Sequence, residues 1–289
     1  MQADRRSGVV LVIAAAIAWS TAPFFTRLLP FDSWTILFWR GLFGAAMIAA
    51  ILTMTQGVAG LRDFTRIDRT GWLVASLSTL GMVCFIPSLQ LTSVSNVAII
   101  IATGPFMTAA LAWVWLKEVP RVRTTLASIV ALIGIAIIVG GAQPGADILG
   151  LTLAVIMTVA IAVMTVIVRQ HRNTSMVAAA ALSNILGCIV SIPFAHGIAT
   201  VTGHDIFTFA MFGFCQVALG LSLYMLGSRL LPSSQAALIA TLETPLMPFW
   251  IWLAFQEIPS SRALVGGVLV MGAVIADIVG DQREQKQPA

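Results

Sequence analysis

Long apolar runs alternate along the chain with short stretches of charge, proline and glycine. They predict ten helices, at residues 8–29, 33–54, 71–90, 94–117, 122–140, 147–168, 175–195, 206–228, 232–256 and 260–280. About 20 apolar residues in a helix cover a hydrocarbon core roughly 30 Å thick, and each run is near that length. The connections are short. The longest, Thr55 to Thr70, carries Arg62, Asp63, Arg66, Asp68 and Arg69 and belongs in water. Arg5 and Arg6 precede the first run, and Ala16-Ile17-Ala18 resembles a cleavage site. That run continues through Leu29, too long for the apolar part of a secretory signal, so it is read as the first helix.

Composition removes the soluble alternatives. Hydrophobic residues make up 58% of the 289 and charged residues 10%, with a mean hydropathy of +0.96; soluble domains carry roughly a quarter charged residues. The expected fold class is therefore an all-α integral membrane protein embedded in the lipid bilayer. The formal charge of +4 does not point to nucleic acid, because the sixteen Lys and Arg fall in loops and tails. With both termini cytoplasmic, thirteen of them lie inside: Arg5, Arg6, Arg62, Arg66, Arg69, Lys117, Arg121, Arg123, Arg169, Arg172, Arg229, Arg283 and Lys286. Only Arg27, Arg40 and Arg262 lie on the outer half, which is the asymmetry a multi-pass protein of the cytoplasmic (inner) membrane requires. Cys84, Cys188 and Cys215 sit inside apolar runs without metal-ligand spacing and read as packing residues; no metal or cofactor is implied. Trp34, Trp39, Trp72, Trp113, Trp115, Trp250 and Trp252 fall near helix ends, as interfacial anchors do, whereas Trp19 lies deep in the first helix.

A shift of 139 positions superimposes Leu91, Ser95, Ala98, Trp113, Glu118 and Pro120 on Leu230, Ser234, Ala237, Trp252, Glu257 and Pro259. The chain then divides into two five-helix repeats, residues 1–145 and 146–289. Five is odd, so the second repeat enters the membrane from the opposite side, an inverted repeat of the kind that lets a central site open to either face. The register slips in the middle: Pro105 precedes Glu118 by thirteen residues and Pro245 precedes Glu257 by twelve, which predicts a bulge or break near Glu243.

Ala18-Trp19-Ser20, Phe38-Trp39-Arg40, the Leu91-Thr92-Ser93 to Ala98 turn and the segment from Pro105 through Glu118, in this order and spacing, resemble the drug/metabolite transporter superfamily with two EamA-type repeats. The resemblance covers nearly the whole chain. It implies a ten-helix bundle whose central cavity is lined by helices 1, 3, 4, 6, 8 and 9, and the export of small metabolites; amino-acid exporters, including those for aromatic amino acids, are similar in length and layout. The chain departs from the family pattern at Glu243-Thr244-Pro245, where an extra residue intrudes.

Glu243 is the acid read at mid-membrane, where a charge costs at least roughly 2.5–3.5 kcal/mol, so it is a candidate cavity carboxylate that meets a substrate ammonium or couples proton movement. A neutral Glu bonded to a neighbouring helix is the structural alternative. Pro105, Pro245 and Pro248 interrupt helices four and nine and free carbonyls, either as packing kinks or as ligand-facing breaks. Trp19 and Tyr224 offer an aromatic wall, and Thr79, Thr103, Thr158 and Gln216 polar contacts at similar depth, each also able to serve as a helix-to-helix bond. Arg40 is expected to snorkel outward or pair with an acid, and His171, His196 and His204 to be solvated.

No G-x-x-x-x-G-K-[ST] loop drives transport by nucleotide hydrolysis, and neither H-E-x-x-H nor paired buried carboxylates equip an enzyme. The expected function is a carrier of small molecules, amino acids or related metabolites first, working by alternating access. A multidrug or other metabolite carrier is the alternative, and an intramembrane lipid-modifying enzyme the weaker one. One buried acid fits proton coupling, exchange and uniport alike. Ala14, Ala18 and Ala22, spaced by four, permit close packing in a monomer or between copies.

Overall fold

The computed structural model describes residues 2–57, 67–117, 119–120, 122–171, 176–231, 236 and 239–284. Arg62, Asp63, Arg66, Glu118, Arg121, Arg172, Ser234, Ala237 and Lys286, with the side chains of Arg5, Arg169 and Arg283, lie outside the described residues. The described chain is helical throughout: α1 Gln2–Ser20, α2 Ala22–Leu28, α3 Ser33–Gln56, α4 Arg69–Leu91, α5 Val94–Ala102, α6 Gly104–Leu116, α7 Val122–Val139, α8 Ala146–Gln170, α9 Met176–Ser191, α10 Gly203–Gly213, a π-helical segment Phe214–Leu219, α11 Gly220–Ser228, α12 Glu243–Phe255 and α13 Ser261–Glu284. Among the described residues, seven helical spans are long and apolar enough to cross a membrane, and Val177–Ser191 is a shorter apolar helix.

Several of the apolar runs are interrupted. The first breaks at Thr21 because Pro23, in the first turn of α2, has no N–H to continue the ladder. The fourth breaks at Thr103, just before Pro105 in the first turn of α6. Thr241 and Leu242 form a turn immediately before α12. The expected helix 175–195 ends at Ser191, since Pro193 disfavours helical backbone in the residue before it. The run at 206–228 starts earlier, at Gly203, behind a capping box formed by Thr202 and Asp205, and loosens into the π segment at Phe214.

Asp32 starts α3. Its carboxylate accepts the backbone N–H groups of Trp34 and Thr35, both at 3.0 Å, and the Thr35 hydroxyl at 2.6 Å, while that hydroxyl oxygen accepts Gly197 N–H at 3.0 Å. Burial works to raise the Asp32 pKa, but these hydrogen bonds outweigh it and hold the carboxyl below its ordinary value of 3.8. A lowered folded-state pKa stabilises above the unfolded value and the benefit fades as pH falls through it. Asp32→Ala should therefore cost about 1 kcal/mol at neutral pH, as for other N-caps, and much less in acid; equal losses at both pH values in a denaturation titration would contradict this.

Packing is largely antiparallel. Helices α7 and α13 cross with Arg123 on Asp277 at one end (3.2 Å), Gly134 against Gly266 in the middle and Arg262 donating to the Gly140 carbonyl (3.0 Å) at the other. α1 lies on α11, with Gly8 against Gly227 and Trp19 against Gly220. α4 packs on α8 and α9, α3 on α9, and α12 on α1, α2 and α5. The core joins Ile36 of α3, Ile86 and Leu89 of α4, Ile100 of α5, Phe209 and Phe212 of α10, Met247 and Ile251 of α12 and Val270 of α13. Large apolar side chains also cover the outside, such as Val268 at 74% and Leu132 at 62% exposure. In a chain with these spans that surface meets acyl chains rather than water.

Candidate functional site

The break in the first helix and the π segment meet. Pro23 cannot donate to the carbonyl four residues before it, Trp19, and the side chain of Gln216 fills that vacancy: its Nε2 donates to the Trp19 carbonyl at 2.8 Å and to the Ala18 carbonyl at 3.0 Å. The bond is returned, for Trp19 Nε1–H donates to the Gln216 carbonyl at 3.0 Å. That carbonyl is accessible because the Gly220 N–H, which would take it in an α-helix, bonds to Cys215 and Val217 instead. A Cβ at Gly220 would stand 2.4 Å from Trp19 Nε1, so only glycine admits the indole. Tyr224, one turn further on, tilts against Trp19 with ring centroids 5.1 Å apart. On the other side of the break, Trp250 of α12 donates to the Ser20 hydroxyl at 2.8 Å.

Trp19, Gln216 and Tyr224 are thus one constellation, with Ser20 and Trp250 added to it. Glu243 opens the neighbouring α12, half-buried, and has no hydrogen-bond or ion-pair partner among the described residues. The three threonines are elsewhere. The Thr79 hydroxyl bridges the Ala75 and Ser183 carbonyls and so ties α4 to α9; those of Thr103 and Thr158 bond to Ile100 and Ala154 within their own helices. Thr103 faces a cleft of about 130 Å³ between α6 and α7. Pro245 and Pro248 line another, of about 260 Å³, with Ser95 of α5 and Gly267 of α13. They do not join the Trp19 cluster.

Arg40 takes neither of the two placements expected of it, though its role is a packing one. It is buried, at 7% exposure, with its guanidinium carbon 5.3 Å from the Phe212 ring centroid and Nη1 3.2 Å from Met82 Sδ. It neither reaches the surface nor meets an acid among the described residues; the face of Phe212 takes the place of a carboxylate. Two expected interfacial anchors also turn inward: Trp250 toward Ser20, and Trp39 onto Phe43 and Phe209 with its Nε1 buried. Trp72, Trp113, Trp115 and Trp252 are exposed, as anchors should be, and so are His171, His196 and His204. Ser183 and the π segment have no distinct signature in the sequence, and Ser20 stands out there only within Ala18-Trp19-Ser20; Pro23 was the one available signal for the break beside Trp19.

The profile of the EamA-like transporter family matches residues 6–140 and matches again over residues 148–276. The chain belongs to the EamA-like transporter family. An uncharacterized transporter of Archaeoglobus fulgidus is 23% identical over 272 residues, 93% of this chain and 96% of that protein. A crystal structure at 16% identity superposes with a TM-score of 0.64 over 97% of this chain and 99% of the other, a likeness of fold. This EamA-like protein is therefore a multi-pass membrane transporter, and the constellation around Trp19 lies within its helical bundle.

Proposed function

We propose that this EamA-like transporter exports small metabolites, amino acids first and aromatic or hydrophobic ones in particular, by alternating access between two inverted five-helix repeats. In this reading ten helices cross the inner membrane, residues 1–145 form one repeat and 146–289 the other, and both termini are cytoplasmic. Support for the repeats comes from the offset of 139. It carries α6 onto α12, thirteen residues each, with their first residues at Gly104 and Glu243 and left-handed caps at Lys117 (φ 59°) and Gln256 (φ 56°). It also carries Val122, where α7 begins, onto Ser261, where α13 begins, and those two helices cross antiparallel. α12 holds no inserted residue relative to α6; what differs is the proline, one position later in its first turn.

The observation that carries the substrate reading is the aromatic pair Trp19 and Tyr224, together with Glu243, without a partner among the described residues, at the start of α12, a helix that packs on α1. The offset maps Gly104 onto Glu243 and Thr158 onto Trp19. A Cβ at Gly104 would meet the Thr158 side chain at 3.7 Å, and in the inverted-repeat reading the equivalent approach is that of Glu243 to Trp19. An aromatic face for an apolar side chain and a carboxylate for an ammonium suit an aromatic amino acid. Purified protein in liposomes should show saturable flux of labelled aromatic amino acids above small polar ones, with Glu243→Gln lowering it about tenfold, roughly 1.4 kcal/mol, or removing its pH dependence. Unchanged flux in Glu243→Gln makes that residue structural; a protein that moves drugs or other metabolites and no amino acid overturns the substrate.

A further inference from the structure

Helix α11 has two working faces. Gly220, Tyr224 and Gly227 lie on α1, while Leu221, Ser222 and Met225 face a crevice of about 340 Å³ that Ile48 and Leu52 of α3 and Val177 of α9 complete. Such a volume is in the range of about 300–1,000 Å³ that holds small organic ligands. The crevice is apolar along its length, but Arg229, four residues beyond Met225 on the same stripe, stands at its end. Arg229 is exposed and has no acidic partner among the described residues. The antiparallel crossing of Gly8 on Gly227 brings Arg6, also exposed, to the same end of the bundle.

We infer that this crevice holds an acyl chain of an anionic phospholipid, with the Arg229 guanidinium on the phosphate. A long apolar slot ended by a cation at a helix terminus reproduces the order of groups in such a lipid. Basic pockets between membrane helices recognise anionic headgroups, and the guanidinium fork matches phosphate oxygens two at a time. The site is separate from the Trp19 constellation and independent of what is transported.

The test reads lipid retention, not flux. The full-length protein, purified from detergent with equal phosphatidylglycerol and phosphatidylcholine, is examined by native mass spectrometry. Wild type should retain one phosphatidylglycerol with at least about tenfold preference, about 1.4 kcal/mol. Arg229→Gln should bring the two lipids to parity, Arg229→Lys should keep most of the preference, and Ser222→Leu, which fills the slot, should lower retention of both. A cation at a helix C-terminus also stabilises the helix dipole. If that is its whole role, Arg229→Gln lowers the melting temperature equally in both lipids and leaves the preference intact, which overturns the site. Equal retention of both lipids by wild type, or undiminished retention in Ser222→Leu, overturns it as well, the latter even if Arg229→Gln does not assemble.

Discussion

Gly134→Leu is expected to force α7 and α13 apart and destabilise the bundle by about 3 kcal/mol, the upper part of the range for overpacking a filled site. A Cβ at Gly134 would stand 2.9 Å from the Gly266 carbonyl oxygen and 2.8 Å from Val270 Cγ2, and one at Gly266 would stand 2.8 Å from the Gly134 carbonyl oxygen. Two of those obstacles are backbone, which cannot turn aside as a side chain can. Small residues at a crossing let membrane helices gain van der Waals contact, and here the contact also brings Arg123 and Thr124 within reach of Asp277. Gly272 of α13 supplies the control, because it is exposed, a Cβ there meets nothing within 4 Å, and Gly272→Leu should change stability little. Gly134 and Gly266 share one contact, so the double Leu variant should lose less than the two single losses added. Reversible unfolding in mixed micelles measures all four. A Gly134→Leu protein as stable as Gly272→Leu would mean that the crossing is loose.

Hydropathy reads well in this chain because the bilayer imposes one requirement on every span: about 20 apolar residues with their backbone groups bonded internally. The limits at 33–54, 71–90 and 147–168 agree with α3, α4 and α8 to within a few residues. Interruptions are harder to read, since what makes them tolerable lies on another helix. Pro23 is visible in the sequence, yet a proline near a helix end usually means only an end. The Gln216 amide nearly two hundred residues away makes the break beside Trp19 stable. The π segment is invisible for the same reason, because its widened turn is recognised by which carbonyls are free, not by residue type. Arg40 shows the limit from the other side. The sequence offers a cation that needs an acid or the surface, and only the fold supplies the Phe212 ring instead.

Among the candidate residues, tertiary hydrogen bonds separate two groups that look alike in sequence. Thr79, Thr103 and Thr158 have hydroxyls spent on backbone carbonyls, a common fate of threonine in a helix of the membrane interior. Gln216 is too long to bond back within its own turn and reaches the broken helix. Thr79 also reaches across to Ser183 of α9, but Gln216 and Trp19 bridge the two proposed repeats with groups that their own helices cannot satisfy. A substrate that altered the angle at Thr21 would be felt directly by the π segment, since the Trp19 and Gln216 bonds join the two.

Gln216→Leu tests that link. The Ala18 carbonyl would keep the Thr21 hydroxyl at 2.6 Å, but the Trp19 carbonyl would lose its 2.8 Å donor with Pro23 unable to replace it. A buried acceptor left without a partner costs about 1–3 kcal/mol, and the expected loss is near 2 kcal/mol with a clear fall in flux. Pro23→Ala returns an N–H at the position from which an α-helix would satisfy Trp19. In the Gln216→Leu background it should recover about half of the lost stability, whereas alone it should gain little, because Gln216 already occupies the acceptor. Its effect on transport should be the reverse. A straightened first helix removes the break against which Trp19 and Ser20 are held, so the double variant is expected to be stable and slow. Four proteins in a double-mutant cycle separate the two consequences. Additive stabilities would mean that Gln216 does not cap the broken helix; recovery of both stability and flux in the double variant would mean that the break itself has no part in transport.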